Sequence, residues 1–360
     1  MAAILGLATA LPTDSFTQDD LVKHAISISS RTDREQQVLE RLYRRTEIQS
    51  RRSVIARLTA DQKAMTDFFP APIDSSDRGP TTAQRMACYD HHAKQLSTAS
   101  CRQTLIESGV AAKSITHLVT VSCTGFAAPG FDLNLIKELG LPRSVYRTHI
   151  GFMGCHGTMN ALRVAQGFVA ANPEANVLLC ATEVCSIHFQ YGRDPGDIVA
   201  NSLFADGAAS LIMRRSDGIA NYVDSFSYVV SDSEDAMGWR IQDNGFAMSL
   251  SAKVPQLIEN ELETLIGEWL SKHDLSIKQI EGWSIHPGGP RVLDAVERSL
   301  QLPADALGDS RAILSEYGNM SSPTVLFIIQ RLLAKQKNRF PCVVLAFGPG
   351  LTIEAALLRS

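Results

Sequence analysis

Two stretches, GFMGCHGTMNALRVA (151–165) and YGNMSSPTVLFIIQR (317–331), occupy equivalent places in two successive runs of strands and helices. A repeated supersecondary grammar narrows the possible folds more than any single motif, because each copy must bury its faces against the other. In the first run, residues 2–10 read as a strand. HLVTVSC (117–123) and NVLLCATEV (176–184) are inner strands by their continuous apolar, β-branched content, and SLFADGAASLIMRR (202–215) carries a glycine turn into another strand. Helices are predicted after Thr17, from about Arg34 to Arg45, and from near Thr82 to Gly109, with an exposed Pro- and Asp-rich loop at 67–80.

The second run repeats the order. GIANYVDSFSYVV (218–230) is a strand, and VPQLIENELETLIGEWLSKH (254–273) is an amphipathic helix. IEGWSIHPGG (280–289) is a strand leading to a turn, and CVVLAFGPGLTIEAALL (342–358) is a closing strand pair. Strands alternating with helices imply α/β layers with inner strands covered on both faces. The predicted organisation is two fused halves, 1–215 and 216–360, joined without a linker and presenting their turns at one shared end.

Cys155 sits where the β-branched run Val145 to Ile150 gives way to GFMGC and then to a helix-period pattern that ends at Asn172 and Pro173. The unpaired N–H groups and dipole of a helix start favour an anion, and the thiolate is the nucleophilic form of cysteine. Gly151, Gly154 and Gly157 are expected to leave the sulfur open to an acyl group. A free cysteine is also commonly a small buried residue, and this stretch alone supports both readings.

If the equivalent turns meet, Cys155 faces His286 (WSIHPGG) and Asn319 (EYGNMSS). Taken singly, His286 reads as a satisfied structural histidine and Asn319 as a helix N-cap. Together the three have a coherent task. His286 stabilises the thiolate, and His286 with Asn319 donates hydrogen bonds to a thioester oxygen that becomes an enolate on loss of carbon dioxide. The resulting carbanion attacks acyl-Cys155, a Claisen condensation that asks for no metal or redox cofactor.

Other chemistries lack their signatures. There is no GxSxG, P-loop, HExxH or EF-hand loop, and LAFGPGLT lacks the GxGxxG spacing of a dinucleotide loop. A net charge of −4 offers no basic excess for nucleic acid. No apolar run approaches a membrane span and the N-terminus has no basic signal start, so a cytoplasmic protein is expected. Seven cysteines without a CxxC pair suggest neither a disulfide framework nor a zinc site. The dense basic cluster RLYRRTEIQSRR is either a solvated helix face or a holder of nucleotide phosphates.

At MGCHGT, SLFADGAA, WSIHPGG, EYGNMSS and LAFGPGLT the sequence resembles the chalcone and stilbene synthase family, the type III polyketide synthases of the thiolase fold. The resemblance implies a thiolase-like αβαβα fold and a homodimer acting on an acyl-CoA starter and malonyl-CoA, without carrier protein or cofactor. It implies Cys155 as acylated nucleophile, with His286 and Asn319 driving decarboxylation. Phe204 then gates the passage to the cavity, and Arg41 and Arg45 hold coenzyme A phosphates. Gly288, Gly289, Ser321, Gly348, Pro349 and Gly350 shape the cavity and its floor.

Departures bear on the product and point to a bacterial-type member. Met248 stands where plant members usually carry a second gate phenylalanine. Cys123, Cys185 and His188 fall near cavity threonines of plant enzymes, Trp239 near a position often glycine, and Ala128 where a larger residue reaches into the partner subunit. The expected product is a pyrone, a resorcinol or a chalcone-like phloroglucinol. Two alternatives remain at this stage: a ketoacyl synthase of fatty-acid initiation, which needs acyl carrier protein, and a thiolase-fold scaffold subunit without chemistry.

Overall fold

A computed structural model of the chain describes residues 1–30, 32–58, 64–74, 76–192, 194–335 and 339–360. Its organising element is a nine-stranded mixed sheet. From one edge to the other the strands are Gly282–Ile285, Cys342–Gly348, Thr352–Arg359, Ala220–Val229, Ala2–Ala10, Asp206–Arg214, Val177–Val184, His117–Ser122 and Tyr146–Gly151.

The duplication is visible in that order. Ala2–Ala10 and Ala220–Val229 pair antiparallel at the centre. Outward from them each half sets an antiparallel strand, then another antiparallel to it, then a parallel one. Tyr146–Gly151, which delivers the chain to Cys155, is an extra parallel strand at the edge of the first half.

Alternation of side chains along inner strands makes the layers. In Cys342–Gly348, Cys342, Val344 and Ala346 enter one core while Val343, Leu345 and Phe347 enter another. In Val177–Val184, Val177, Leu179 and Ala181 face the first core, and Leu178 and Cys180 a third. The first core is the middle layer, built on helices Gly157–Ala171 and Thr324–Leu333, the two predicted equivalents. Helix Thr82–Ser108 covers the outer face of one half, and Val254–Ser271 with Pro290–Ser299 covers the other. The result is αβαβα. Each large apolar side chain buried between layers contributes about 1.5–3 kcal/mol, so the two buried faces of each inner strand are the main source of stability.

Local signals hold the ends. Thr81 and Gln84 form a capping box before Thr82–Ser108, and Gly109 ends that helix at φ 65°, in the left-handed region. The loop at 67–80, of which residue 75 lies outside the described residues, is not wholly exposed: Phe69 turns inward against Phe68, Phe189 and Tyr191 because the aromatic pocket beneath it is apolar. No described helix is long and apolar enough to cross a membrane.

Candidate active site

Cys155 stands in a short 3-10 turn, Gly154–His156, between strand Tyr146–Gly151 and helix Gly157–Ala171. The flanking glycines serve packing rather than openness. Gly154 has φ +72°, and a Cβ there would stand 2.7 Å from Pro349 Cδ, while a Cβ on Gly157 would stand 2.8 Å from Val121 Cγ1. Gly154 lets the turn sit down on Pro349 of the second half, and Gly157 lets the helix start close on strand His117–Ser122 of its own half.

His286 follows strand Gly282–Ile285, its N–H donating to the Leu345 carbonyl at 2.8 Å. Its ring is 1% exposed, and neither ring nitrogen has a hydrogen-bond partner among the described residues. A satisfied structural histidine would not look like this. Asn319 is not a helix N-cap: the helix begins at Thr324, and Asn319 instead bridges to Phe204. Its N–H donates to Leu203 O and its carbonyl accepts from Ala205 N, both at 2.9 Å. Asn319 Oδ1 accepts from Ser321 N at 2.8 Å, so the side-chain amide leaves its NH2 to donate into the site.

Two cavities meet at Cys155. The outer chamber, about 370 Å³, is lined by Cys155, His286, Asn319, Gly288, Gly289 and, on its rim, the exposed Arg45 and Arg291. The inner pocket, about 30 Å³, is lined by Cys123, Cys185, Phe204, Trp239, Ser321 and Pro349 among others. Met248 borders both. A third cavity of about 80 Å³ lies behind Cys185, Phe204, Trp239 and Met248, which form its shared wall with the inner pocket.

The other sequence-selected residues divide. Phe204 and Trp239 meet edge to face with centroids 6.0 Å apart, and Trp239 Nε1 donates to Cys123 O at 2.8 Å, which fixes the indole across the pocket. His188 borders the third cavity, not the inner pocket. Its Nδ1 accepts from Phe246 N at 3.0 Å and its Nε2 donates to Thr124 O at 2.6 Å, so it is a neutral structural ring stacked on Phe246. Gly348 lines neither chamber at Cys155; it makes room for His156, whose Cδ2 lies 2.1 Å from where a Cβ would be. Gly350 likewise faces Thr352. Arg41 is exposed and outside the lining of the outer chamber, unlike Arg45. Arg51 from the same basic cluster is buried, donating to Gln18 Oε1 and to the carbonyls of Asn201 and Phe204, so it braces the Phe204 turn.

Burial disfavours charge on both Cys155 and His286. Burial pushes the Cys155 thiol up to about 11, against hydrogen bonds from Ser321 and Asn319 that pull it down. The helix start alone does not overcome desolvation. Burial, with His156 close by, holds His286 down to about 3. The resting pair is therefore thiol and imidazole, not thiolate and imidazolium.

Three contributors were not evident from sequence. Glu183, fully buried at the end of an apolar strand, accepts from Ser122, Cys123 N, Thr124 and Ser322, and so fixes the inner pocket's wall. A lone carboxylate ending NVLLCATEV was the available signal. Arg291 directly follows HPGGP, and Met237 precedes Trp239 by two residues on the same hairpin strand.

Models of the chalcone and stilbene synthases match the chain throughout, the N-terminal domain over residues 1–217 and the C-terminal domain over residues 222–360. The chain is 31% identical to the α-pyrone synthesis polyketide synthase-like Pks18 of Mycobacterium tuberculosis, over 99% of this chain and 91% of that protein. It is 29% identical to a putative chalcone synthase of Bacillus subtilis, over 99% and 98%. Its fold matches the crystal structure of PKS-I from the brown alga Ectocarpus siliculosus with a TM-score of 0.91 and 32% identity, covering 100% and 98% of the two chains.

Proposed function

The chain belongs to the chalcone and stilbene synthase family and is a type III polyketide synthase; from that premise we propose that it loads an acyl-CoA starter on Cys155 and extends it with malonyl-CoA to a cyclised polyketide. The observation that carries this reading is the outer chamber, which Cys155, His286 and Asn319 line together with the exposed Arg45 and Arg291.

In loading, the Cys155 sulfur attacks the starter carbonyl and coenzyme A leaves as its thiol. With thiol and imidazole both neutral at rest, the proton leaves sulfur as the new bond forms, and the unpartnered His286 ring is the base available to take it. In extension, malonyl-CoA occupies the outer chamber with its thioester oxygen toward His286 and the Asn319 amide. As carbon dioxide departs, the negative charge develops on that oxygen, and preorganised donors in a water-poor chamber stabilise it more than they stabilise the ground state. The carbanion then attacks the acyl-Cys155 carbonyl: the C–C bond forms, the C–S bond to Cys155 breaks, the lengthened β-ketoacyl group is held on coenzyme A, and the Cys155 sulfur takes up a proton. Each extension consumes one proton, and the cycle as written asks for no metal or redox cofactor.

The cationic rim suits the phosphates of a nucleotide-tailed thioester, with Arg45 and Arg291 both in the lining of one chamber. That supports coenzyme A thioesters as the substrates; action as an acyltransferase without a carrier protein, and a cytoplasmic homodimer, complete the proposal and rest on the family alone. The inner pocket's about 30 Å³, with Trp239 tied across it, supports a short starter and few extensions. Incubating the enzyme with malonyl-CoA and a panel of aromatic and fatty acyl-CoAs, then reading product masses, tests the reading. Products are expected from coenzyme A thioesters alone; turnover only after addition of acyl carrier protein overturns it.

A further inference from the structure

The inner pocket holds three thiols, Cys123, Cys155 and Cys185, and the cycle above uses one. Ser321 Oγ stands between two of them. It donates to Cys155 Sγ at 3.5 Å and lies 3.3 Å from Cys123 Sγ. A serine hydroxyl carries a single proton, so with that proton directed at Cys155 the Cys123 S–H is the donor to Ser321. The arrangement is held on every side. Ser321 N donates to Asn319 Oδ1 at 2.8 Å, and the residue has φ +59°. Cys123 N donates to both Glu183 oxygens at 3.1 and 2.9 Å, and Cys123 O accepts from Trp239. Cys185 borders the same space but has no hydrogen bond to either thiol or to Ser321.

We propose that Cys123 is a second acyl acceptor, taking the acyl group from Cys155 by thiol–thioester exchange with Ser321 passing the proton. The inference rests on Cys155 being the first nucleophile. Cys123 Sγ attacks the acyl carbonyl carbon, and the C–S bond to Cys123 forms as the one to Cys155 breaks. The Cys123 proton moves to Ser321 Oγ, and the Ser321 proton moves to the departing Cys155 sulfur. One thioester and one thiol become one thioester and one thiol, with no oxidant and no water.

The relay matters because burial holds the Cys123 thiol well above its ordinary value, so a free thiolate there is scarce. Transferring the proton as the bond forms removes that need. The exchange moves an acyl group toward the pocket floor and frees Cys155, still open to the outer chamber, for a second loading.

The test is acyl mapping on the intact enzyme. Wild type is mixed with isotopically labelled acetyl-CoA or hexanoyl-CoA, quenched in acid, digested at acid pH, and the cysteine peptides are weighed. Label is expected first on Cys155, then on Cys123, and not on Cys185. Ser321→Ala also removes a hydrogen bond to Cys155, so it is read as the ratio of the two labels in one sample: any remaining Cys155 label reports folding, and the Cys123-to-Cys155 ratio at early times should fall by about tenfold or more. Cys123→Ser should hold one acyl group on Cys155, and Cys155→Ala should lose both labels. Label confined to Cys155 in wild type, or an undiminished Cys123-to-Cys155 ratio in Ser321→Ala, overturns the exchange while leaving Cys155 as nucleophile. A Cys123 label that persists in Cys155→Ala means direct loading and overturns it too. An unlabelled Cys155 in wild type overturns the underlying reading itself.

Discussion

The outer chamber and the inner pocket share Cys155 and differ in nearly everything else. The outer chamber is roomy, rimmed by arginines, and lined by the His286 ring, neither of whose nitrogens has a partner among the described residues, and by the Asn319 amide, whose NH2 is turned to the Cys155 thiol. The inner pocket is small, and its polar atoms are already satisfied by one another through Glu183, Ser321 and Trp239. Unsatisfied donors are costly to bury and are kept where a reacting group completes them. Satisfied networks fix shape. Decarboxylation and condensation are thus assigned to the outer side, and selection and holding of the acyl group to the inner side.

The most severe test of that division is Cys155→Ala, which should abolish covalent loading of labelled starter, a loss beyond about a thousandfold in turnover. Label retained on the protein elsewhere than through Cys155 would end the assignment. Next, His286→Ala and Asn319→Ala should each slow malonyl-CoA decarboxylation by about 10²–10³, measured as carbon dioxide release, with a smaller effect on loading. Equal losses in both steps would erase the distinction between the roles.

The neutral resting pair makes a prediction in pH. Below about 11 the Cys155 thiol is protonated, so its alkylation by iodoacetamide should rise about tenfold per pH unit between pH 7 and 9 without a plateau. His286, held down to about 3, should add no inflection in that window. An ion pair would instead give a rate flat with pH. On the inner side, Trp239→Ala should shift preference toward longer starters or more extensions by about an order of magnitude, read from product masses. It should also lower stability by less than the about 3–5 kcal/mol of a core Trp, because Trp239 is only half-buried. The smallest effect belongs to the rim: Arg45→Ala or Arg291→Ala should raise KM for coenzyme A thioesters several-fold, roughly 1 kcal/mol each, with kcat little changed. A change in kcat alone would move these arginines out of a binding role.

Much of the outer chamber was legible in the chain. Cys155, His286 and Asn319 each sit at a turn marked by glycines and bounded by periodic segments, and the strand–helix repeat placed those turns at one end. The glycines were read for the wrong reason. They are there for close packing against Pro349 and Val121, contacts between residues far apart in sequence. The inner pocket was legible only as a set of candidates. His188 proved to be a stacked, hydrogen-bonded wall residue of the cavity behind it, and Gly348 and Gly350 face away from the chambers.

The sequence by itself determined the layers, the duplication and the choice of Cys155, His286 and Asn319 as the candidate trio, because periodicity and turn chemistry are local and survive in a string of letters. Tertiary structure alone decided the protonation of Cys155 and His286, the bracing of Phe204 by Arg51, and the Cys123–Ser321–Cys155 chain. Desolvation and hydrogen-bond partnership depend on which distant segments close over a group, and no spacing along the chain encodes them.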